Sequence, residues 1–142
     1  MLMTAEAARA YHRPQVTTFA DTQADLVTAM TLTYPDEAIG IAQAARDVQM
    51  PVVLSFTVET DGNLPDGSTL AAAIETVDDA TDAYPAYYMI NCAHPTHFTP
   101  ILEPNAQWTD RIRAVRANGS RKSHAELDDA TELDSGNPIA FG

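Results

Sequence analysis

The stretch that decides the fold is residues 51–58, which read Pro-Val-Val-Leu-Ser-Phe-Thr-Val. Its apolar side chains occupy both alternating faces, a pattern typical of a central parallel strand that is covered on both sides. The Met50-Pro51 step ends a helical pattern before it, and Asp61-Gly62-Asn63 predicts a loop after it. The stretch therefore predicts a buried strand in an α/β protein.

On either side of this strand, short apolar runs alternate with segments of helical periodicity. The predicted strands are 26–32, 52–58, 87–92 and 111–118. The predicted helices are 13–20 with Pro14 in the first turn, 35–49, 70–80 after a Ser68 or Thr69 cap, a turn or helix at 95–103, and a capping-box helix that runs from Ser123 past Leu133 to residues 135–138. A helix followed by four strand–helix units implies a mainly parallel sheet.

Composition limits the classes of function. The chain has 142 residues, of which 45% are hydrophobic and 20% charged, so it can bury a core. A formal net charge of −12 disfavours nucleic-acid phosphates and anionic membrane surfaces as partners. The single cysteine excludes an internal disulfide framework, and no apolar run reaches the roughly 20 residues of a membrane span. We expect a soluble cytoplasmic protein with no nucleic-acid or membrane partner.

Polar side chains stand at the predicted end of every strand. They are Thr31 and Thr33, Thr57 and Glu59, Asn91 and Cys92, and Asn118 and Ser120. In parallel α/β proteins, ligands bind outside the carboxyl ends of the strands. The four strands therefore present polar groups along one rim, although polar strand ends alone are common.

Cys92 is the most informative single residue, and the sequence allows two interpretations of it. A lone cysteine is more often a small buried hydrophobic residue than a ligand or nucleophile. Cys92, His94 and His97 could instead form a local metal site, but Pro95 interrupts the segment and the spacing matches no zinc signature. The alternative to a metal site is that the two histidines cap the next segment or lie on its surface.

The remaining clusters of charged residues are typical of solvated surfaces rather than of a binding site. Five basic residues fall between 111 and 122, namely Arg111, Arg113, Arg116, Arg121 and Lys122. Because no aromatic residues are interleaved with them, they predict a solvated strand face with local ion pairs. A group of aspartates predicts solvated loops and an exposed helix face: Asp61, Asp66, Asp78, Asp79 and Asp82.

Several of these segments together resemble one family. Residues 53–62 (Val-Leu-Ser-Phe-Thr-Val-Glu-Thr-Asp-Gly) and 66–70 (Asp-Gly-Ser-Thr-Leu) resemble the middle of homocysteine S-methyltransferases. Residues 89–95 (Met-Ile-Asn-Cys-Ala-His-Pro) fall where that family has a strand-end Asn-Cys motif. Residues 116–120 and the strand that begins at 25–27 fit in the same order, so the resemblance covers about residues 10–142.

The resemblance implies a partial (β/α)8 TIM-type barrel. About four βα units, similar to the fourth to seventh strands of the family, would follow a leading helix. Residues 1–142 would form a single barrel segment that lacks the first strands and the last βα unit. The family's Gly-Gly-Cys-Cys motif belongs to that last unit.

The resemblance also implies a chemistry. In the family, three cysteine thiolates hold a zinc ion, and zinc binds the homocysteine thiolate that takes a methyl group from a sulfonium or related donor. Cys92 matches the first zinc ligand, and the expected substrate-binding residues are Asn91, Thr57, Asn118 and Thr31. The expected partners are a small-molecule thiol and a methyl donor.

Two departures from the family modify these expectations. Met30 stands where many members have a glutamate that contacts the amino group of homocysteine. With one of three cysteines, we expect an incomplete zinc site and negligible activity of the isolated chain.

The exposed edges of a half-barrel would favour self-association. The alternative is a small acidic α/β binding domain with a structural buried cysteine and no catalysis.

Overall fold

The structure is a computed structural model that describes residues 2–102, 104 and 106–141. Four strands form one parallel sheet in the order β1-β2-β3-β4: β1 is Val27–Leu32, β2 is Val52–Thr57, β3 is Tyr87–Asn91 and β4 is Ile112–Arg116. The longer helices are α1 (Ala5–Ala20), α2 (Pro35–Asp47) and α3 (Leu70–Thr81). The short ones are α4 (Pro95–Phe98), a 3-10 turn (Thr99–Ile101), α5 (Gln107–Asp110), α6 (His124–Asp128) and α7 (Pro138–Phe141).

Chain order and strand order coincide, so each described strand lies next to the one before it. β2 is buried at all six positions, which confirms the interpretation of residues 51–58 as a central strand. Thr57 pairs with Asn91, and Asn91 pairs with Arg116, so three strands end at the same level. The α/β class and the mainly parallel sheet predicted from the sequence are therefore confirmed.

The helices pack according to their apolar stripes. In α2, Pro35 occupies the first turn, as its fixed φ permits, and the buried face includes Ala38, Ile41 and Ala45. α1 packs on α2 at a close crossing, because a Cβ at Gly40 would lie 2.5 Å from the Ala8 Cβ. α1 and α2 therefore pack together, and α2 contacts β1 and β2.

The first helix begins earlier than predicted, at Ala5 rather than at residue 13. Thr4 caps it by accepting a hydrogen bond from the Ala7 amide at 3.2 Å. Pro14 then lies inside the helix, where it removes one helical hydrogen bond. The predicted position of Pro14 in the first turn was wrong, because the packing of α1 on α2 outweighs the local cost of the proline.

The last predicted helix is much shorter than expected. Its capping box is confirmed, because the side chain of Ser123 accepts from the Glu126 amide and the Glu126 carboxylate accepts from the Ser123 amide. The helix ends at Asp128, however, and Leu133 is 93% exposed. Residues after 128 are acidic, which is unfavourable at the negative end of a helix, and Leu133 has no core to bury against.

Asp78 and Arg111 join α3 to the start of β4, at the end of the sheet opposite the polar rim. Arg111 Nε lies 2.8 Å from Asp78 Oδ2, and the Tyr88 hydroxyl donates to Asp78 Oδ1 at 2.8 Å. Burial, together with the nearby carboxylate, raises the pKa of Tyr88 and keeps it a neutral donor. The predicted local ion pair of Arg111 is confirmed, but Asp78 is a partly buried partner rather than a solvating residue.

The short segments between β3 and β4 agree with the predicted turn or helix over 95–103, of which residue 103 lies outside the described residues. Among the residues that the structure describes, no helix combines the length and apolarity needed to cross a membrane. β1 and β4 form the two edges of the described sheet, and a cavity of about 280 Å³ lies between α1 and β1.

Candidate functional site at the carboxyl ends of the strands

Four of the predicted site residues lie together at the polar rim. Thr31, Thr57 and Asn91 stand at the carboxyl ends of three neighbouring strands, and Cys92 directly follows Asn91. Asn118 follows β4 and reaches the same place, because its Nδ2 donates to the Cys92 carbonyl at 3.0 Å. The parallel register brings these groups from distant parts of the sequence to one location.

The amide of Asn91 joins the ends of three strands. Its Oδ1 accepts from the Thr31 amide at 3.0 Å and from the Ser55 hydroxyl at 2.6 Å. Its Nδ2 lies 3.0 Å from Thr31 Oγ1, 3.2 Å from Thr57 Oγ1 and 3.1 Å from Cys92 Sγ. Because Asn91 is fully buried, these contacts act in a low dielectric and fix the geometry of the rim.

Two residues at the rim have left-handed backbones. Thr31 has φ 62° and Cys92 has φ 57°, a region that non-glycine residues seldom occupy. Such conformations persist only where surrounding contacts hold them, and they cluster at functional sites. Both residues bond to Asn91, so the strained strand ends and the buried amide form one unit.

Cys92 borders a cavity at the rim. Cys92 is half-buried, and the cavity has a volume of about 310 Å³. The residues that line it are Thr31, Thr33, Thr57, Pro65, Cys92, His124, Leu127 and Asp128. Thr31 and Thr57 therefore line the cavity, whereas Asn91 and Asn118 hold the backbone and side chain of Cys92 from behind.

Sequence reasoning missed one residue that contacts the backbone of Cys92. His124 Nε2 lies 2.7 Å from the Cys92 carbonyl oxygen, and His124 Nδ1 lies 3.4 Å from Glu59 Oε1. The signal was present in the capping box at Ser123, which begins a helix soon after β4 and returns His124 to the rim. The capping box predicts where the helix starts, but it does not predict that the side chain of His124 points back to the Cys92 carbonyl.

The described residues do not make a zinc site on their own. No group of three or more histidine, cysteine, aspartate or glutamate side chains suited to a metal ion is found among them. His94 Nδ1 contacts Thr96 and His97 Nε2 contacts the Arg121 carbonyl, so both rings are engaged elsewhere. Burial lowers the pKa of His94, with smaller contributions from Arg121 and His97. Within residues 2–102, 104 and 106–141, the donor set offers one thiol, short of the three or four protein ligands that zinc takes.

Comparison with known proteins agrees with this architecture. The family model described as Homocysteine S-methyltransferase matches residues 1–136. Among solved structures, the apo form of the homocysteine methyltransferase MmuM from Escherichia coli matches with a TM-score of 0.62 and 21% sequence identity. That match covers 89% of this chain and 56% of the other, so the chain spans little more than half the length of that enzyme. Comparison with curated proteins finds no match.

The matches define the fold and the family. The four parallel strands correspond to part of the barrel of a homocysteine methyltransferase, which confirms the predicted partial (β/α)8 architecture. The family match extends over nearly the whole chain, from the leading helix to the segment after α6. The chain belongs to the homocysteine S-methyltransferase family.

Proposed function

We propose that this chain forms the Cys92 side of a thiol methyltransferase site, which transfers a methyl group from a sulfonium donor to homocysteine. One observation carries the proposal: in a chain of this family, the only cysteine borders a cavity at the carboxyl ends of parallel strands. This is the end of a barrel at which active sites are built. The Asn91 amide donates to the Cys92 sulfur, which orients it at the rim.

The proposed reaction balances without an oxidant or reductant. The homocysteine sulfur attacks the methyl carbon of the sulfonium, so a new S–CH₃ bond forms while the donor S–CH₃ bond breaks. The donor leaves as a neutral thioether, and the proton of the homocysteine thiol is released. Thr31 and Thr57 line the cavity, and their hydroxyls contact the Asn91 amide, which would fix the wall against which the acceptor lies.

We further propose that Cys92 supplies one ligand to a zinc ion, and that the other ligands lie in polypeptide outside residues 1–142. Bound zinc lowers the pKa of a coordinated thiol and keeps it nucleophilic at neutral pH. In this proposal, residues 1–142 are one partial barrel segment. The isolated chain then has negligible methyltransferase activity, because one thiolate holds zinc weakly.

Charge supports a cationic methyl donor over an anionic one. The chain has a formal net charge of −12, Asp128 lines the rim cavity, and the Glu59 carboxylate contacts His124, which also lines it. A negative surface raises the local concentration of cations and lowers that of anions. We therefore favour a sulfonium donor. We also propose a cytoplasmic location, because a free thiol such as that of Cys92 persists in a reducing compartment.

The alternative of a binding domain with a structural buried cysteine receives less support. A structural cysteine is expected to be enclosed by apolar side chains. Cys92 is half-buried instead, and its sulfur accepts a hydrogen bond from the Asn91 amide. These features fit a thiol that meets a ligand.

Cobalt binding tests Cys92 as a metal ligand. Co²⁺ is a visible substitute for zinc, and a thiolate ligand produces an intense near-ultraviolet charge-transfer band. Titration of the chain with Co²⁺ is expected to produce this band with weak affinity, and Cys92→Ser is expected to remove it.

His97→Gln is the matched control for this titration, because it removes the other side chain of the local-triad alternative. His97 contacts the Arg121 carbonyl in the structure, so the variant should keep the full band. A band that survives in Cys92→Ser would contradict the proposal. Tight one-to-one binding that His97→Gln abolishes would support a local Cys-His site instead.

A further inference from the structure

The carbonyl group of Cys92 is held by two side chains from the segment after β4. His124 Nε2 lies 2.7 Å from this oxygen, and Asn118 Nδ2 donates to it at 3.0 Å. A carbonyl oxygen only accepts, so His124 carries a proton on Nε2. We propose that His124 is a positioning residue that holds Cys92 in its left-handed conformation and so sets where the thiol lies in the cavity.

The backbone of Cys92 needs such a restraint. A non-glycine residue at φ 57° is strained and relaxes unless neighbouring contacts hold it. The Cys92 amide is also bonded, to the Arg116 carbonyl at 3.1 Å, so both peptide groups around its φ and ψ angles have partners. Of the two side chains on the carbonyl, His124 makes the shorter hydrogen bond.

The position of His124 is itself determined by two local features. The capping box of Ser123 and Glu126 fixes the first turn of α6, of which His124 is the first residue. On the other side of the ring, Glu59 Oε1 lies 3.4 Å from Nδ1 and restricts its rotation. The loop after β2, the end of β3 and the start of α6 therefore meet at this imidazole.

The importance of this position for methyl transfer rests on the proposed function, but the position itself is measurable without it. Cys92 is the only cysteine of the chain, so a thiol reagent reports on this residue alone. When the carbonyl is released, we expect the peptide to relax and the half-buried thiol to move toward the open cavity. Alkylation by iodoacetamide should then become faster.

Two substitutions at the same position separate the hydrogen bond from the bulk of the ring. His124→Leu removes the donor, and His124→Gln offers an amide N–H to the same carbonyl. We expect His124→Leu to react about five-fold faster than the unmodified chain, the factor that one net hydrogen bond is worth, and His124→Gln to react at nearly the original rate. The ¹³Cβ shift of Cys92 should change in the Leu variant only.

His97→Leu serves as the matched control, since it removes a nearby histidine that bonds to the Arg121 carbonyl and not to Cys92. An unchanged rate in His124→Leu, or equal acceleration in the Leu and Gln variants, would overturn the proposal. Should His124→Leu not fold, Glu59→Ala tests the same idea at a side chain that is 37% exposed, with a smaller acceleration expected. No acceleration in that variant would count against it. Failure here leaves the cobalt result of Cys92 unaffected, so the two proposals fail separately.

Discussion

A single buried amide organises the rim of this molecule. Asn91 uses its oxygen and its nitrogen to bond to Thr31, Ser55, Thr57 and Cys92, which lie on β1, on β2 and directly after β3. Parallel strands without such a link would place polar side chains near each other without fixing their relative positions. The thiol of Cys92 therefore depends on Asn91 for its orientation as much as on its own backbone.

Replacement of Asn91 by leucine is expected to lower the free energy of unfolding by about 3 kcal/mol or more, since several buried donors and acceptors lose their partners at once. Urea denaturation monitored by circular dichroism measures this change. Ser55→Ala is the comparison, because it removes one of these hydrogen bonds and should cost about 1 kcal/mol. Equal effects of the two substitutions would contradict the central position of Asn91.

The candidate site could be predicted in part at the residue scale. Strand-end position placed Thr31, Thr57, Asn91 and Cys92 among the candidate rim residues, because the ends of parallel strands necessarily meet at one edge, and the family resemblance narrowed the choice. Their division into cavity-lining and supporting residues depends on hydrogen bonds between strands. His124 could not be assigned for a related reason: the direction of its ring is set by Glu59 and by the Cys92 carbonyl, neither of which is near it in sequence.

At the scale of elements, hydrophobic periodicity predicted the helices and strands correctly where tertiary packing favours the same structure as local propensity. β2 and α2 have patterns that the buried sheet and its covering helix reinforce, so their type and position were predicted closely. α1 and α6 departed from prediction where tertiary contacts decide the outcome. Packing on α2 extends α1 through Pro14, and the lack of a surface to pack on ends α6 at Asp128.

The capping box of α6 makes a prediction about pH. Hydrogen bonds from the Ser123 amide and hydroxyl lower the pKa of the Glu126 carboxyl from its ordinary value of 4.5. A lowered pKa in the folded state means that this stabilisation is present above pH 4.5 and is lost as the pH falls through the lower, folded value. NMR titration should find the Glu126 pKa below 4.5, and Ser123→Ala should return it toward 4.5.

Loss of that cap has a consequence for the rim, because α6 begins with His124. In Ser123→Ala, the first turn of α6 should fray, and amide exchange at Glu126 and Leu127 should accelerate. A Glu126 pKa that does not respond to the Ser123 substitution would contradict the capping account.

At the scale of the whole molecule, the described sheet has two open edges. β1 and β4 each present one side without a strand partner among the described residues, and Val115 on β4 is 47% exposed. Phe19 beside β1 is 42% exposed and lines the cavity between α1 and β1. Open edges with apolar neighbours favour pairing with another chain. For residues 1–142 in isolation, we propose that a second copy pairs at these edges.

Sedimentation velocity at several salt concentrations tests this association. Two copies that each have a net charge of −12 repel, and salt screens the repulsion, so the dimer fraction should rise with ionic strength. Val115→Glu should weaken the association. Leu133→Glu adds the same charge at an exposed leucine outside the sheet and should have little effect. A monomer at every salt and protein concentration would contradict the proposal.

An NMR titration tests most directly the proposal that the rim beside Cys92 receives the thiol of homocysteine. L-homocysteine is added to the ¹⁵N-labelled chain in the presence of zinc, and homoserine, which has a hydroxyl in place of the thiol, is added to a second sample. We expect homocysteine to shift the amides of Thr33, Cys92 and His124, homoserine to shift them far less, and Cys92→Ser to abolish the difference. Equal shifts from both compounds, or shifts confined to residues away from this cavity, would contradict it.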